Sequence, residues 1–276
     1  MANILVLANE TIGGAALLER IRARAAAGVA SFHVVVPTMR PRHGNVIYDE
    51  VVRDSAQVRV DLALEFMRDE GLEGSGEVGD PDPFNAAMDA AALRHFDEII
   101  VSTLPATSSN WLKRDLLGRL HNATGAPVEH VVVDIDRDGL PFDVTLVVAN
   151  QTAAEEQLVQ RLRALAAQGP RRFIVVAPQS SVDGSAVKET RERLRKLLAS
   201  LDASDIVAAG MIGDPDPYTA TMNAIQYFHI SEIVISTLPG DRSKWIADKL
   251  VERVQSHSNL PVQHVESNAS VEGLAA

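Results

Sequence analysis

The side chains best suited to chemistry in this sequence are hydroxyls gathered beside cations. Ser236-Thr237-Leu238-Pro239 is followed closely by Arg242-Ser243-Lys244, and the related stretch Ser102-Thr103-Leu104-Pro105 is followed by Ser108-Ser109-Asn110. Hydroxyls at a helix start either cap the helix or, with its free N–H groups and positive dipole end, hold an anion. The residues leave both readings open. Arg242 and Lys244 make the second cluster the better anion site, so a phosphate-containing ligand is expected there, with weaker binding or none at the first.

Two further sets stand out. Asn9 and Thr11 close the first apolar run, and Asn150 and Thr152 close a matching one. Gly79-Asp80-Pro81-Asp82-Pro83 recurs as Gly213-Asp214-Pro215-Asp216-Pro217. It reads either as a turn into a capped helix or as a place where Gly79 and Gly213 let the backbone approach a ligand's base or sugar. Trp111 and Trp245 occupy matching places and either pack against neighbouring structure or stack on a base. His95 and His229 end matched helices, and His130 and His264 lie in matched strands, positions typical of a dipole partner or a satisfied edge residue. No histidine spacing suits zinc, and Walker A, G-x-S-x-G and H-x-G-H signatures are absent. No base or nucleophile is set up, so no catalytic residue and no metal site are expected.

These residues need a scaffold, and the scaffold is written twice. From Gly79 onward the copies are offset by 134 residues: Ser102 maps to Ser236, Trp111 to Trp245 and His130 to His264. Near the start the offset is 141, since Val6-Leu7-Ala8-Asn9-Glu10-Thr11 matches Val147-Val148-Ala149-Asn150-Gln151-Thr152. The first copy therefore carries about seven extra residues after its second strand, with Pro41 to Asn45 in the longer loop. Each copy alternates short β-branched runs with helix formers. Strands are expected at 4–8, 32–36, 73–78, 98–101 and 128–133, and helices at 11–27, 48–70, 82–95 and from Ser108 or Ser109 to Ala123. The second copy repeats the order, with strands at 144–149, 173–177, 206–210, 232–236 and 262–266. Its helices are expected at 153–168, 184–201, 216–228 and 243–256. Residues 134–143 read as a linker and 268–276 as a frayed tail.

Five strands separated by helices imply α/β architecture: two tandem doubly wound, Rossmann-like domains over 1–135 and 143–267, each a five-stranded parallel sheet of order 3-2-1-4-5 with helices on both faces. The ligand crevice then lies at the carboxyl ends of strands 1 and 4, where the order reverses. The net charge of −11 argues against nucleic acid, and the absence of cysteine removes disulfide and thiol chemistry. No segment has the ~20 apolar residues of a membrane span and the start is no signal peptide, so the expected location is the cytoplasm.

The repeat, the Gly-Asp-Pro motif before an Ala-rich helix, the Glu-Ile-Ile-Val strand and the closing Pro-Val strand resemble the universal stress protein family in its tandem form, of HUP-type fold. The resemblance implies a stress-response regulator, with ATP as the cofactor of many members. It also implies domains paired through their last strands, so that Val128, His130 and Val132 would face Val262, His264 and Glu266 about a pseudo-twofold axis. A tandem chain supplies both halves itself, and a homodimer of chains is left open. The chain departs from the ATP-binding pattern: Asn9 and Asn150 stand for its Asp, Ser102, Pro105, Ser236 and Pro239 for its first glycines, and Asp115 and Lys249 near its later Gly-Ser. Proline removes an N–H and Asp115 repels phosphate, which argues against triphosphate binding in that manner. The resulting expectation is a non-catalytic regulator with a crevice for a nucleotide or small anion. A ligand-free interaction module and a weak nucleotide hydrolase are the alternatives.

Overall fold

Strand-forming runs set the layout of this computed structural model, which describes residues 1–276 except 45, 108, 110, 112–114, 151, 153–155, 180–183, 240–242 and 267–276. The expected tail, Ser108 and Arg242 therefore lie outside the described residues. Contacts divide the chain into Met1–Met39 with Ser55–Pro141, and Arg40–Asp54 with Phe142–Ala276.

In the first unit β1 (Ala2–Leu7), β2 (Ala30–Pro37), β3 (Glu73–Gly79), β4 (Glu98–Thr103) and β5 (Val128–Val132) form one parallel sheet of order β3-β2-β1-β4-β5. β1 is central, with Val6 opposite Val34 on one side and Ile100 on the other. Its alternate residues face opposite ways. Ile4 and Val6 join a core with Leu17 and Ile21 of α1 (Ala15–Ala26) and Val60 of α2 (Asp49–Asp69). Leu5 and Leu7 join a second core with Ala86 and Ala90 of α3 (Pro83–Leu93) and Leu120 of α4 (Leu116–Thr124). A strand covered on both faces has no polar side, which is why its sequence reads as an unbroken apolar run. Each such Leu or Ile contributes about 1.5–3 kcal/mol by leaving water.

The second unit repeats this with β6 (Asp143–Val148), β7 (Arg171–Pro178), β8 (Ala208–Gly213), β9 (Glu232–Thr237) and β10 (Val262–Glu266), again parallel, in the order β8-β7-β6-β9-β10. α6 (Glu156–Ala166) and α7 (Gly184–Asp202) pack Leu158, Leu162, Leu197 and Leu201 against Val147 and Val175. α8 (Pro217–Tyr227) follows β8. The doubly wound parallel architecture and the 3-2-1-4-5 order expected from the sequence are present in both copies. In each, an arginine of the first helix reaches the last strand: Arg20 Nε donates to Glu129 Oε2 at 2.6 Å and Arg161 Nε to Gln263 Oε1 at 2.8 Å.

Several local expectations are corrected. The first helix begins at Ala15 and not at Thr11, because Gly13 takes φ 92° and breaks the helical path. The last helix of the first copy begins only at Leu116. Its counterpart is broken into α9 (Lys244–Ala247) and α10 (Leu250–Ser258). The cause is shared: Asp115 and Lys249, equivalent by the 134-residue offset, both sit in the left-handed region at φ 47° and 52°. Trp111 thus precedes the last helix instead of lying within it. The 134–143 linker contains one helical turn, α5 (Ile135–Asp138), capped by Asp134.

The extra residues of the first copy also have a structural role. Arg40–Asp54, expected with the first domain, clusters with the second unit. His43 N donates to Asn223 Oδ1 at 3.0 Å while Asn223 Nδ2 donates back to His43 O at 3.1 Å. Asp54 accepts from Ile212 N on the sheet's edge strand at 3.3 Å and faces Arg191 Nη1 at 3.2 Å. Burial nevertheless pushes the Asp54 carboxyl above the usual carboxylate range.

The Gly-Asp-Pro-Asp-Pro motif is a helix entry. Asp80 Oδ1 accepts from Asp82 N at 2.8 Å, and Asp82 Oδ1 then caps α3 by accepting from Phe84 N at 2.9 Å. Asp214 and Asp216 repeat the arrangement ahead of α8. Gly79 and Gly213 allow these helices to close onto the sheet: a Cβ at Gly79 would sit 2.6 Å from Ala86 Cβ, and one at Gly213 2.7 Å from Ala220 Cβ. Gly79→Ala and Gly213→Ala should therefore each destabilise their unit, by about 1–3 kcal/mol, as an overpacked core does. Urea unfolding midpoints measure the loss, and unchanged midpoints would show that the helices can move aside.

Candidate functional site

The chains leaving the paired strands β6 and β9 diverge at the order reversal, and a cavity of about 480 Å³ opens there in the second unit. The chain after β6 supplies Asn150 and Thr152. β9 ends in Ser236 and Thr237. Gln179 follows β7, Pro215 to Pro217 lead from β8 into α8, and Ser243, Lys244, Trp245 and Asp248 close the remaining wall. Six of the sequence-predicted residues are thus brought together: Asn150, Thr152, Ser236, Thr237, Ser243 and Lys244.

Much of the wall is polar and buried. Asn150 is held at both ends of its amide: Nδ2 donates to Pro178 O at 2.7 Å, and Oδ1 accepts from Arg193 Nη1 on α7 at 2.6 Å. Thr237 Oγ1 lies 2.8 Å from His264 Nε2 on the neighbouring strand. Ser243 caps α9, accepting from Ile246 N at 3.4 Å. Thr152 differs from these. It is 2% exposed, and among the described residues its Oγ1 has no hydrogen-bond partner. A buried hydroxyl left unpaired costs about 1–3 kcal/mol, which a bound acceptor recovers. Lys244 is the cation of the described lining, and Asp216 and Asp248 are its carboxylates, all three exposed toward solvent.

The first copy places its equivalents alike but bonds them differently. Asn9 Nδ2 donates to Pro37 O at 3.1 Å, as Asn150 does to Pro178, yet among the described residues Asn9 Oδ1 has no partner. Thr11 Oγ1 donates to Ser102 O at 3.3 Å, so the hydroxyl left unpaired in the second copy is occupied here, while Ser102 Oγ is the unpaired atom. Thr103 Oγ1 donates to Leu104 O at 2.8 Å, and with its one proton spent it accepts the Nε2–H of His130 at 2.9 Å. Burial pushes the His130 imidazole below its ordinary range. Trp111 packs against the hydrophobic core, whereas Trp245 lines the cavity.

Gly79 and Gly213 lie against Ala86 and Ala220, and Gly213 is not among the cavity-lining residues. Sequence reasoning passed over Gln179, Asp248 and the Arg193 that holds Asn150. Gln179 carried a readable signal, since it directly follows the strand beside β6 at the carboxyl edge. Arg193 carried none, because its reach to Asn150 depends on how α7 packs. Among the described residues no group of three or more His, Asp or Glu converges on a common point, and no helix is long and apolar enough to cross a membrane.

Two outcomes follow from this geometry. Lys249→Gly relieves a left-handed residue that makes no capping bond, so it should stabilise the protein by about 0.5–1 kcal/mol. Asp115→Gly should gain less, because Asp115 Oδ1 accepts from Gly118 N at 3.3 Å and that cap is lost. Thermal unfolding of the two variants checks the order. For His130, whose folded-state proton affinity is depressed, stability is retained above the ordinary histidine range and is lost as pH falls through the lower folded value. His130→Gln should flatten that acid-side decline in urea midpoints, and an unchanged slope would acquit this histidine.

No family model matches this chain, and no curated protein does. Among solved structures it is similar to a universal stress protein from Archaeoglobus fulgidus DSM 4304, at 15% identity over 96% of each chain and a TM-score of 0.37. It is also similar to a functionally unknown protein, PA1789, from Pseudomonas aeruginosa PAO1, at 19% identity over 97% of this chain and 93% of that one, with a TM-score of 0.33. The fold itself stands on the sheet order: two five-stranded parallel α/β sheets, each with its reversal point at the central strand.

Proposed function

We propose that this chain is a non-catalytic regulator of the universal stress type, working in the cytoplasm, whose second unit holds a nucleotide or another small anion in the crevice between β6 and β9. The observation that carries this reading is Thr152: a buried hydroxyl without a partner, set in a cavity that also presents Lys244. A hydroxyl donor and an ammonium lining one cavity suit an anionic ligand. Trp245 offers a ring at the same wall, where a base could stack.

The first unit supports a different role. Its threonine hydroxyl is already engaged by Ser102 O and its tryptophan packs against the core. The position equivalent to Lys244 is Asn110. It has fewer means to hold an anion and serves as a structural partner.

Catalysis is not part of this proposal. Hydrolysis needs a positioned base or nucleophile. The described wall offers hydroxyls without a base at hydrogen-bond distance from the Thr152 oxygen.

Titration calorimetry with nucleotides and with inorganic phosphate tests the reading. The wild-type protein should bind at one site, and Lys244→Gln should weaken binding about tenfold or more, the loss of one charge-assisted contact. Unchanged affinity in that variant would place the ligand elsewhere.

A further inference from the structure

We propose that Ser75 is a nucleophilic serine that takes up an acyl group from an anionic activated donor, an acyl phosphate, with His33 as its base. The site lies in the first unit and shares no residue with the crevice described above.

The cluster stands where the second copy is apolar. His33 of β2 pairs in register with Ser75 of β3, and Glu77 lies two residues on, on the same face of β3. Arg94, directly after α3, reaches both: its Nη1 donates to His33 Nδ1 at 3.1 Å and to Ser75 Oγ at 3.2 Å. By the 141- and 134-residue offsets these four residues map to Ile174, Ala209, Met211 and Phe228, all buried. One copy thus fills this place with hydrocarbon. The other buries an imidazole there, His33 at 4% exposure, with a serine, a glutamate and an arginine around it. Packing does not require that exchange, and a buried polar ring costs stability unless it is satisfied.

The bonding fixes where the protons lie. A guanidinium can only donate, so His33 Nδ1 is the bare nitrogen and Nε2 carries the ring proton. Ser75 Oγ lies 2.8 Å from Nδ1, and because that nitrogen has no hydrogen to give, the bond runs from the serine hydroxyl to it. On the other side of the ring, Nε2 lies 3.3 Å from Glu77 Oε1, off the line of a full hydrogen bond. When the ring takes the serine proton, Glu77 favours the resulting charge and Arg94 opposes it. Burial, the largest influence, holds the imidazole below its ordinary range, so the ring is neutral and able to accept a proton at neutral pH. Ser75 itself is exposed, so a donor can reach its oxygen. A nucleophile bonded to a base, with a carboxylate on the far side of that base, is the arrangement that activates serine.

Arg94 selects the donor. Its guanidinium beside Oγ suits an anionic reagent and the negative charge that develops on a carbonyl under attack. An acyl phosphate brings both an activated carbonyl and an anion. In the step the bond from Oγ to the carbonyl carbon forms and the bond from that carbon to the phosphate oxygen breaks. The proton passes from Oγ to His33 Nδ1 and on to the departing phosphate. Nothing is oxidised or reduced, and the product is an ester at Ser75.

Mass mapping of the full chain after incubation with acetyl phosphate, and separately with p-nitrophenyl acetate, tests the proposal. Both should acetylate Ser75 ahead of other serines, and Ser75→Ala should lose that label. His33→Gln should slow labelling of Ser75 about a hundredfold, the usual scale of general-base assistance. Labelling of the wild-type protein should fall as pH drops through the depressed His33 value, with Glu77 and Arg94 the charged groups facing the ring. Arg94→Gln should slow acetyl phosphate about tenfold more than the uncharged ester, the loss of one charge-assisted contact. Ser75→Ala takes the second copy's residue, so its urea midpoint should hold. Ser75 labelled no faster in the folded chain than in urea, or an unchanged rate in His33→Gln, would overturn the proposal and leave the cluster a structural network.

Discussion

The burial of β1 and β6 on both faces is the constraint from which the rest follows. A central strand with neighbours on either side and helices over both surfaces has little solvent face, so its buried side chains are apolar apart from Thr145, whose hydroxyl donates to Glu232, and its backbone pairs with the flanking strands. Pairing ends with β1 and β6. Asn9 and Asn150 are the first polar side chains after these strands, and each amide is anchored at once to the carbonyl of the proline ending the next strand, Pro37 or Pro178. The crevice thus begins where apolar burial stops.

The two copies share this frame and differ in what completes it. Asn150 is held by Arg193, while the equivalent end of Asn9 has no partner. Thr11 spends its hydroxyl on the Ser102 carbonyl, while Thr152 keeps its own available. These are shifts in a few hydrogen bonds within one scaffold. Their effect on chemistry is larger, because a buried donor or acceptor with no partner is what a ligand can satisfy. Duplication leaves one scaffold in two states of completion.

Close packing limits how far either copy can change. Gly79 and Gly213 are hemmed in by Ala86 and Ala220, so the helices that follow press directly on the edge strands. The aspartates of the same motif fix the helix starts through short capping bonds. The motif that repeats most plainly in the sequence therefore secures the packing beside the crevice, and its second copy lends the cavity Pro215, Asp216 and Pro217.

Read alone, the sequence determined the architecture. Unbroken apolar runs such as Ile4 to Ala8 demanded a doubly buried strand, the repeat at 134 and 141 residues demanded two copies, and right-handed crossovers left the 3-2-1-4-5 order. It also marked the crevice residues Asn150, Thr152, Ser236, Thr237, Ser243 and Lys244, since topology sends strand ends to one edge. Only the tertiary structure decided that Arg40–Asp54 serves the second unit, that Asp115 and Lys249 interrupt the last helices, and that Thr152 is left without a partner where Thr11 is not. Periodicity encodes which face is buried, because that depends on neighbours along the chain. Which hydrogen bond a buried hydroxyl finds depends on ångström-scale distances between elements far apart in sequence, and no local pattern records those.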